Sequence, residues 1–481
     1  MRYSMTGFRY ACTQYLSTLS IMTLRAYGRE VGVSKPTEKK KGELIEEIVG
    51  ILTGDVTPVA RATKGAPVKD DFVDPKIERA IEEFRKEFLP SSPQISDKPD
   101  RWKPDMIVFR SGEQEAIPED RIFHGQLEAF DSVPCLMPLD GDLFEERMLI
   151  EIEQIRRYNM REGDVIGTTA FCDKKKLISA EIQTINGEPC KNINRFVFET
   201  EPSVYPNERL PLLEREEVSS EQKFLDWLLP IGLGQRCLIS SPPKAGKSKF
   251  LLNVLKSLDR KDNECEVFAL LIDQSPELIS AYRDILPTGN LIATTYDSDE
   301  DMHIFMAEFM LKRMKRFAEM GRNVVLLVDS LSRIARAYND SEFSLGGKLL
   351  PCGLESKTLH YIKKFFGAAR KFAKRGSLTM IATVSFGTGD ELDDVLYSEI
   401  SSVAGGEIRL CDELALKRQF PAVDLMRSHF EQSQELLDEQ RVECDRLLRQ
   451  KALQLMALGQ VHEMIVSSSS LADLCERLRK L

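Results

Sequence analysis

The sequence predicts an α/β protein whose C-terminal domain has a mainly parallel sheet, preceded by a small β-barrel and an N-terminal helical module. Three observations carry this. From about residue 205 onward, the apolar runs RCLISS (236–241), VFALLID (267–273), NVVLLVDS (323–330) and SLTMIATVS (377–385) alternate with stretches of helical length. Runs buried on both faces and spaced by helices mean parallel strands. From about 122 to 200, short alternating runs such as DVIGTTAF and KLISAEIQTI are split by REGD and CDKKK turns, which suits a small closed barrel of the OB type, with a purely structural β-domain as the alternative.

The third observation is the segment from Leu19 to Leu52, which reads as a helix, a basic Pro-containing turn and an amphipathic helix from near Lys41. Lys35, Lys39, Lys40 and Lys41 cluster at the turn. A nucleic-acid-binding module over 19–53 and a plain helical hairpin both fit that pattern. Residues 54–103 are rich in small residues, Pro and mixed charge and read as a linker. It carries one helix, PKIERAIEEFRKEF, at 75–88. The barrel is expected over 122–200 and the α/β domain over 205–481.

The totals narrow the class. A chain of 481 residues has room for about three domains. No apolar run approaches the roughly 18–20 residues that span a bilayer, and no charged-then-apolar signal segment opens the chain. The ten cysteines are scattered without a Cys-x-x-Cys pair, so they read as reduced thiols of a cytoplasmic protein. A formal net charge of −10 argues against a broad basic surface. Any nucleic-acid contact must then be local, made by loops or a channel.

The chemistry starts at SPPKAGKS (241–248), between the first apolar run and the helical KFLLNVLKSL. Strand, tight loop, Gly-Lys-Ser and helix are the context of a P-loop. Backbone N–H groups from Ala245 through Gly246 to Ser248 can wrap phosphates at a helix N-terminus. Lys247 can reach the β- and γ-phosphates and the Ser248 hydroxyl can ligate Mg²⁺, with Lys244 and Lys249 flanking. Asp329, at the tip of the third run, is the carboxylate expected near that Mg²⁺. A nucleotide's phosphates and Mg²⁺ are therefore the expected ligands.

With these pieces placed, the long motifs PIGLGQRCLISSPPKAGKSKFLLN (230–253), VDSLSRIARAYN (328–339), KKFFGAARKFAKRGSLTMIAT (363–383) and KRQFPAVDLMRS (417–428) resemble the family of bacterial transcription termination factor Rho. RRYNMREGDVIG (156–167) extends the resemblance into the barrel. It implies a RecA-type homo-hexameric ring that binds ATP between subunits and holds RNA on the barrel and then in a central channel. The nascent transcript and RNA polymerase are the implied partners, and no membrane is involved. The resemblance also implies that Gly232, Gly234, Gln235 and Arg236 line the nucleotide site beside the P-loop.

Several implied positions depart from the family. The strand ending LLIDQSPEL (270–278) has Gln274 where the family has the Glu that activates the attacking water, and Ser275 where it has an Arg near the nucleotide. An amide cannot take that proton near neutral pH, although Gln can orient a water. Counting thirteen residues from Arg418 of KRQFPA, the arginine-finger position falls on Glu431. In the channel, Glu391 replaces a Lys. The other channel loop, Lys348, Leu349, Leu350, Pro351, Cys352 and Gly353, has Cys352 in place of a Gly. In the barrel, the family's base-stacking aromatics give way to Val133, Cys135 and Leu136, with Phe130 the nearest aromatic. These changes imply weakened ATP hydrolysis and RNA translocation. The alternative is a nucleotide-binding scaffold or regulator without translocase activity, acting through RNA polymerase or within a mixed ring with a conventional Rho. Restoring the acid with Gln274→Glu is expected to raise turnover if the rest of the site is intact.

Overall fold

The computed structural model describes residues 12–52 with short interruptions, the single residue Ile77, and 122–480 apart from 131–132, 140–146, 174–175, 192, 214–217, 259–264, 342–347, 432 and 456–457. Two compact units are present, residues 1–103 and 104–481.

In the first unit, helix α1 (Ile21–Val31) and helix α2 (Lys41–Leu52) pack through Leu24, Tyr27, Leu44, Ile45 and Ile48. The basic turn is partly neutralised within the module. Lys39 pairs with Glu47, and Lys41 Nζ donates to the Ser17 carbonyl at 2.7 Å. Of the helix expected at 75–88, only Ile77 lies within the described residues; it is helical and buried in this same core.

The second unit opens with the barrel. Strands β1 (Phe123–Phe130), β2 (Val133–Pro138), β3 (Met148–Leu149), β4 (Val165–Asp173) and β5 (Lys176–Ile185) lie in the order β3-β2-β1-β4-β5, and a parallel β3–β5 pair closes them. Helix α3 (Ile152–Arg157) sits between β3 and β4. Short β6 (Glu188–Pro189) pairs antiparallel with the end of β5. Closure and strand order meet the OB-type expectation. The barrel core is Leu127, Leu136, Ile150, Ile166 and Ile182.

One side of the barrel is welded to the α/β domain. Cys135, Met137 and Val165 share a core with Phe309 and Met310 of a long helix, Glu300–Glu319. Around them Gln126 Nε2 donates to the Phe309 carbonyl at 2.8 Å, and Arg313 Nε donates to Gln126 Oε1 at 2.7 Å. Lys312 pairs with the buried Glu128 at 2.6 Å. Buried polar groups matched in this way fix one docking register.

In the α/β domain, β7 (Ser203–Val204) and helix α4 (Ser220–Trp227) lead into β8 (Arg236–Ser241) and helix α5 (Lys247–Ser257). Next come β9 (Glu266–Gln274), α6 (Pro276–Arg283), β10 (Leu291–Thr295), α7 (Glu300–Glu319), β11 (Asn323–Asp329) and α8 (Leu331–Asp340). The remainder is α9 (Ser356–Phe366), β12 (Arg370–Phe372), β13 (Ser377–Ser385), α10 (Glu391–Ser401), β14 (Gly406–Arg409), α11 (Asp412–Leu416), β15 (His429–Phe430) and helices α12 (Ser433–Leu436), α13 (Glu439–Leu455), α14 (Leu458–Ser467) and α15 (Leu471–Lys480).

The sheet order is β10-β9-β11-β13-β8-β14-β15, parallel throughout except for β15. Its uniformly apolar strands still alternate. Val325 and Leu327 of β11 join the core beneath α5, with Leu251 and Val254, while Val324, Leu326 and Val328 join the core beneath α7. A two-sided sheet needs apolar residues at every position, which is why the sequence shows unbroken runs. Among the described residues, no helix is long and apolar enough to cross a membrane.

Candidate nucleotide-binding site

The carboxyl ends of the parallel strands converge on one edge, where open α/β sheets bind ligands. There β8 gives way to the loop Pro242–Gly246. Gly246 takes a left-handed backbone (φ 91°) and opens α5 with no side-chain cap. The helices after β9, β10 and β11 are instead capped by Ser275, Asp299 and Ser330, each accepting from a backbone N–H of the first turn. Helix α5 alone of these four leaves its leading N–H groups to a ligand, with no acid in its first turn and with Lys247 and Lys249 there instead. Uncapped donors and a positive helix end make an anion site. Lys244 and Lys249 are exposed, Lys247 and Ser248 half-buried.

Asp329 is completely buried at the end of β11, two strands from β8. The register across β13 brings Val328 level with Ala382 and Thr383 level with Ile239. Strand β11 thus lies about 10 Å, two inter-strand spacings, from the strand that leads into the P-loop. Thr383 Oγ1 donates to Asp329 Oδ1 at 2.8 Å, while Oδ2 is buried without a partner. A buried carboxylate oxygen lacking a partner is costly unless a cation or its water takes it up. That orphaned oxygen and the Ser248 hydroxyl fit a nucleotide-bound Mg²⁺.

The tip of β9 is held from several sides. Asp273 has a left-handed backbone (φ 54°), and its N–H donates to Thr294 Oγ1 at 3.1 Å. Arg333 pairs with its carboxylate at 2.6 Å. His303 Nδ1 lies 2.8 Å from the same Thr294 hydroxyl, and burial, opposed by Asp273, pushes its pKa down. Gln274 follows, its Nε2 donating to the carbonyls of Ile272 and Asp329, both at 3.3 Å. The amide nitrogen is turned toward the backbone and touches the end of β11. Ser275 serves as the cap of α6 (Leu278 N–H at 3.3 Å). Ser followed by Pro276 and Glu277 is the sequence pattern of such a helix start.

The loop Gly232–Arg236 is not beside the P-loop of its own chain. Arg236 begins β8 and Ser241 ends it, so the two lie about 17 Å apart at opposite ends of a six-residue strand. Here the expectation is corrected: a single chain does not bring them together. Gly234 (φ 87°) packs against β12, where a Cβ would meet Lys371 N at 2.3 Å. Gln235 is buried, accepting from Gly232 N at 2.7 Å and donating to the Gly405 carbonyl at 3.0 Å. What the loop does join is Glu431. Gly234, Gln235, Arg236, Arg370, Tyr205, Gly405 and Glu431 line one cleft of about 350 Å³. Glu431 is exposed, its N–H donating to the Gly405 carbonyl at 3.0 Å.

Near the P-loop, the ring of Phe420 lies within 3.5 Å of where a Gly246 Cβ would be, and it is 43% exposed. In the sequence, Phe420 is one residue of the KRQFPA motif with nothing to set it apart. An aromatic without charge or spacing signal looks like core until its exposure is seen. Arg418, exposed and with a left-handed backbone (φ 58°), precedes it by two residues.

Of the two segments that the resemblance assigned to RNA, one is a turn and the other an acidic helix start. Lys348–Gly353 makes a tight turn, with Gly353 N–H donating to the Leu350 carbonyl at 2.9 Å and Gly353 at φ 80°. Leu349 is 63% exposed. Glu391 is the exposed first residue of α10, after its cap Asp390. Arg336 pairs with Asp390 and Asp393, each at 2.9 Å, and the Leu392 N–H with Arg336 holds the Asp390 carboxyl below its usual range. In the barrel Cys135 and Leu136 are buried, Cys135 against the α/β domain, and Val133 is exposed. The side chain of Phe130 lies outside the described residues.

Residues 221–429 match the ATP synthase alpha/beta family, nucleotide-binding domain. Transcription termination factor Rho of Salmonella typhimurium is 34% identical over 360 residues, 73% of this chain and 85% of that protein. Rho of Escherichia coli K12 gives the same figures. Rho of Buchnera aphidicola subsp. Baizongia pistaciae is 34% identical over 339 residues, 68% of this chain and 80% of that protein. A solved ATPase of a bacterial type III secretion system covers 56% of this chain and 85% of its own at 23% identity, with a TM-score of 0.46, too loose to argue from. The uncapped helix behind Gly246, the buried Asp329 two strands away, and this identity along most of the length lead to one statement: the chain belongs to the family of transcription termination factor Rho.

Proposed function

We propose that this protein is a Rho-like, ATP-binding ring subunit that acts on RNA in transcription termination and hydrolyses ATP slowly. The carrying observation is the contrast at the strand ends. The phosphate-binding helix end and Asp329 are equipped for a Mg²⁺-nucleotide, while Gln274 offers an amide whose nitrogen is turned onto two backbone carbonyls. Phosphates bind to the N–H groups after Gly246 and to Lys247; Mg²⁺ is held through Ser248 and Asp329; the exposed Phe420 suits a base stacked beside the P-loop. Gln274 Oε1 can accept a hydrogen bond from a water but cannot remove its proton.

The ring assignment gives the cleft of Gly234, Arg236, Arg370 and Glu431 its place. In a ring that binds nucleotide between subunits, this face meets the neighbour's P-loop. Glu431 then brings a carboxylate where a cation would speed the reaction, and Arg236 and Arg370 line the same cleft.

One observation favours the second reading, a regulator without translocase activity. With Asp390 and Asp393 taken up by Arg336, Glu391 and Asp394 are left exposed at the loop that would face RNA, and carboxylates repel a phosphate backbone. One experiment separates the two readings: phosphate release by the purified protein at saturating Mg²⁺-ATP, with and without pyrimidine-rich RNA, alongside an ATP-binding assay. Slow, RNA-stimulated release supports the leading reading. Binding without release, whatever the RNA, gives the regulator. Absence of nucleotide binding overturns both.

A further inference from the structure

The cleft shared by Arg236, Arg370 and Glu431 holds more positive charge than it neutralises. Arg236 opens β8 and Arg370 opens β12. The two backbones approach closely, since a Cβ on Gly234 would meet Arg370 C at 2.6 Å. Arg236 Nε donates to the Val403 carbonyl at 2.7 Å and Nη1 to the Ala369 carbonyl at 3.4 Å. Arg370 Nε and Nη2 donate to the carbonyls of Ala368 and Gly367 at 3.2 and 3.3 Å. Its guanidinium lies over the buried Phe198 ring, 4.8 Å from the centroid.

Backbone carbonyls thus fix both guanidiniums in place without cancelling their charge. Among the described residues, neither is paired with a carboxylate. Burial lowers the Arg370 pKa; Glu199, itself paired with Lys315 at 3.3 Å, opposes this, and Arg236 adds to it. Glu431 is exposed and brings one negative charge to a cleft with two positive ones. Half-buried cations without counter-charge are unfavourable, and two in one cleft more so. A guanidinium has N–H donors to spare beyond those used here, in a fork that matches phosphate oxygens. The cleft, about 350 Å³, is the size of a small-ligand site. Tyr205, 67% exposed on its wall, offers a ring to the rest of such a ligand.

We propose that this cleft is a second phosphate-binding site, separate from the P-loop of the same chain, in which Arg236 and Arg370 take the terminal phosphates of a nucleoside triphosphate. The length of β8 keeps it about 17 Å from that P-loop. The phosphates come either from a nucleotide seated on the P-loop of a second copy or from a free nucleotide. The first source rests on the ring reading above; the affinity of the cleft for phosphate does not.

The test titrates the full-length protein at low salt in two backgrounds. Inorganic tripolyphosphate is added to Lys247→Ala, whose P-loop is disabled, and Mg²⁺-ATP to the protein with Lys247 intact. Arg370→Gln should weaken binding at least about tenfold, the loss of a hydrogen bond to a charged group. Glu431→Gln should strengthen it, an opposite effect that misfolding cannot produce. Both responses with tripolyphosphate in Lys247→Ala assign the cleft to free phosphates. Both responses confined to ATP with Lys247 intact assign it to the nucleotide of a second copy. If the two substitutions change neither titration, the proposal is overturned. A loss with Arg370→Gln that Glu431→Gln does not mirror overturns it as well, because the arginine then serves the fold. If the protein with Lys247 intact binds no ATP, the functional reading fails, and the tripolyphosphate titration alone decides the cleft.

Discussion

Rebuilding catalysis should require two residues together, Gln274→Glu with Glu431→Arg. An arginine finger contributes on the order of 10³–10⁵ in rate, or roughly 4–7 kcal/mol of barrier. Glu431 is exposed and only its backbone N–H is engaged, by Gly405. Replacing its side chain should therefore change stability by no more than about 0.5 kcal/mol. Gln274 is different. Its Nε2 donates to the carbonyls of Ile272 and Asp329 at 3.3 Å. A carboxylate there loses two bonds of about 0.5–1.5 kcal/mol each and turns an oxygen toward two oxygens. It must swing outward, so Gln274→Glu alone should raise phosphate release by less than about tenfold, a loss of 1.4 kcal/mol being a factor of ten. The double variant should raise it by about 10³ or more, with ATP affinity nearly unchanged. The assay is steady-state phosphate release at saturating Mg²⁺-ATP with RNA present. If Gln274→Glu alone restores rapid turnover, the finger position is not limiting and the reasoning fails.

Other consequences are more local. Lys247→Ala should abolish nucleotide binding while leaving the thermal midpoint of the ligand-free protein intact, since the half-buried ammonium serves the ligand; retained ATP binding would refute the P-loop assignment. Gly234→Ala should destabilise by about 2–5 kcal/mol, combining a left-handed backbone with a Cβ forced against Lys371 N at 2.3 Å; urea denaturation measures it. Glu391→Lys should strengthen RNA binding and steepen its salt dependence by about 0.7 in the log–log slope, one phosphate contact's worth. The buried His303 has a lowered pKa, so the unfolded chain binds its proton more readily. Stability should be full above the unfolded value of about 6.5 and decline as pH falls from there toward the folded value. His303→Gln should flatten that acid limb in pH-dependent denaturation.

Features that depend on local order are legible in the amino-acid sequence. The strand–loop–helix around Gly246 is local, because chain direction, a left-handed glycine and a helix N-terminus are set within a dozen residues. The central strands were legible for a similar reason: burial on both faces leaves unbroken apolar runs. The acid-to-amide change at Gln274 was visible because one position in a strand tip is read directly.

Tertiary structure decided the rest, through contacts between residues far apart in the chain. The Gly232–Arg236 loop adjoins the P-loop in sequence, yet β8 carries the two to opposite ends of the sheet and delivers the loop to Glu431 instead. Closure of the barrel depends on a parallel pair between Leu149 and Ile178. Its docking depends on Gln126 meeting Phe309. The state of Asp329 depends on Thr383 filling one carboxylate oxygen while the other stays open. Sequence periodicity reports whether a side chain is buried, but the partner it is buried against is chosen by sheet order and packing.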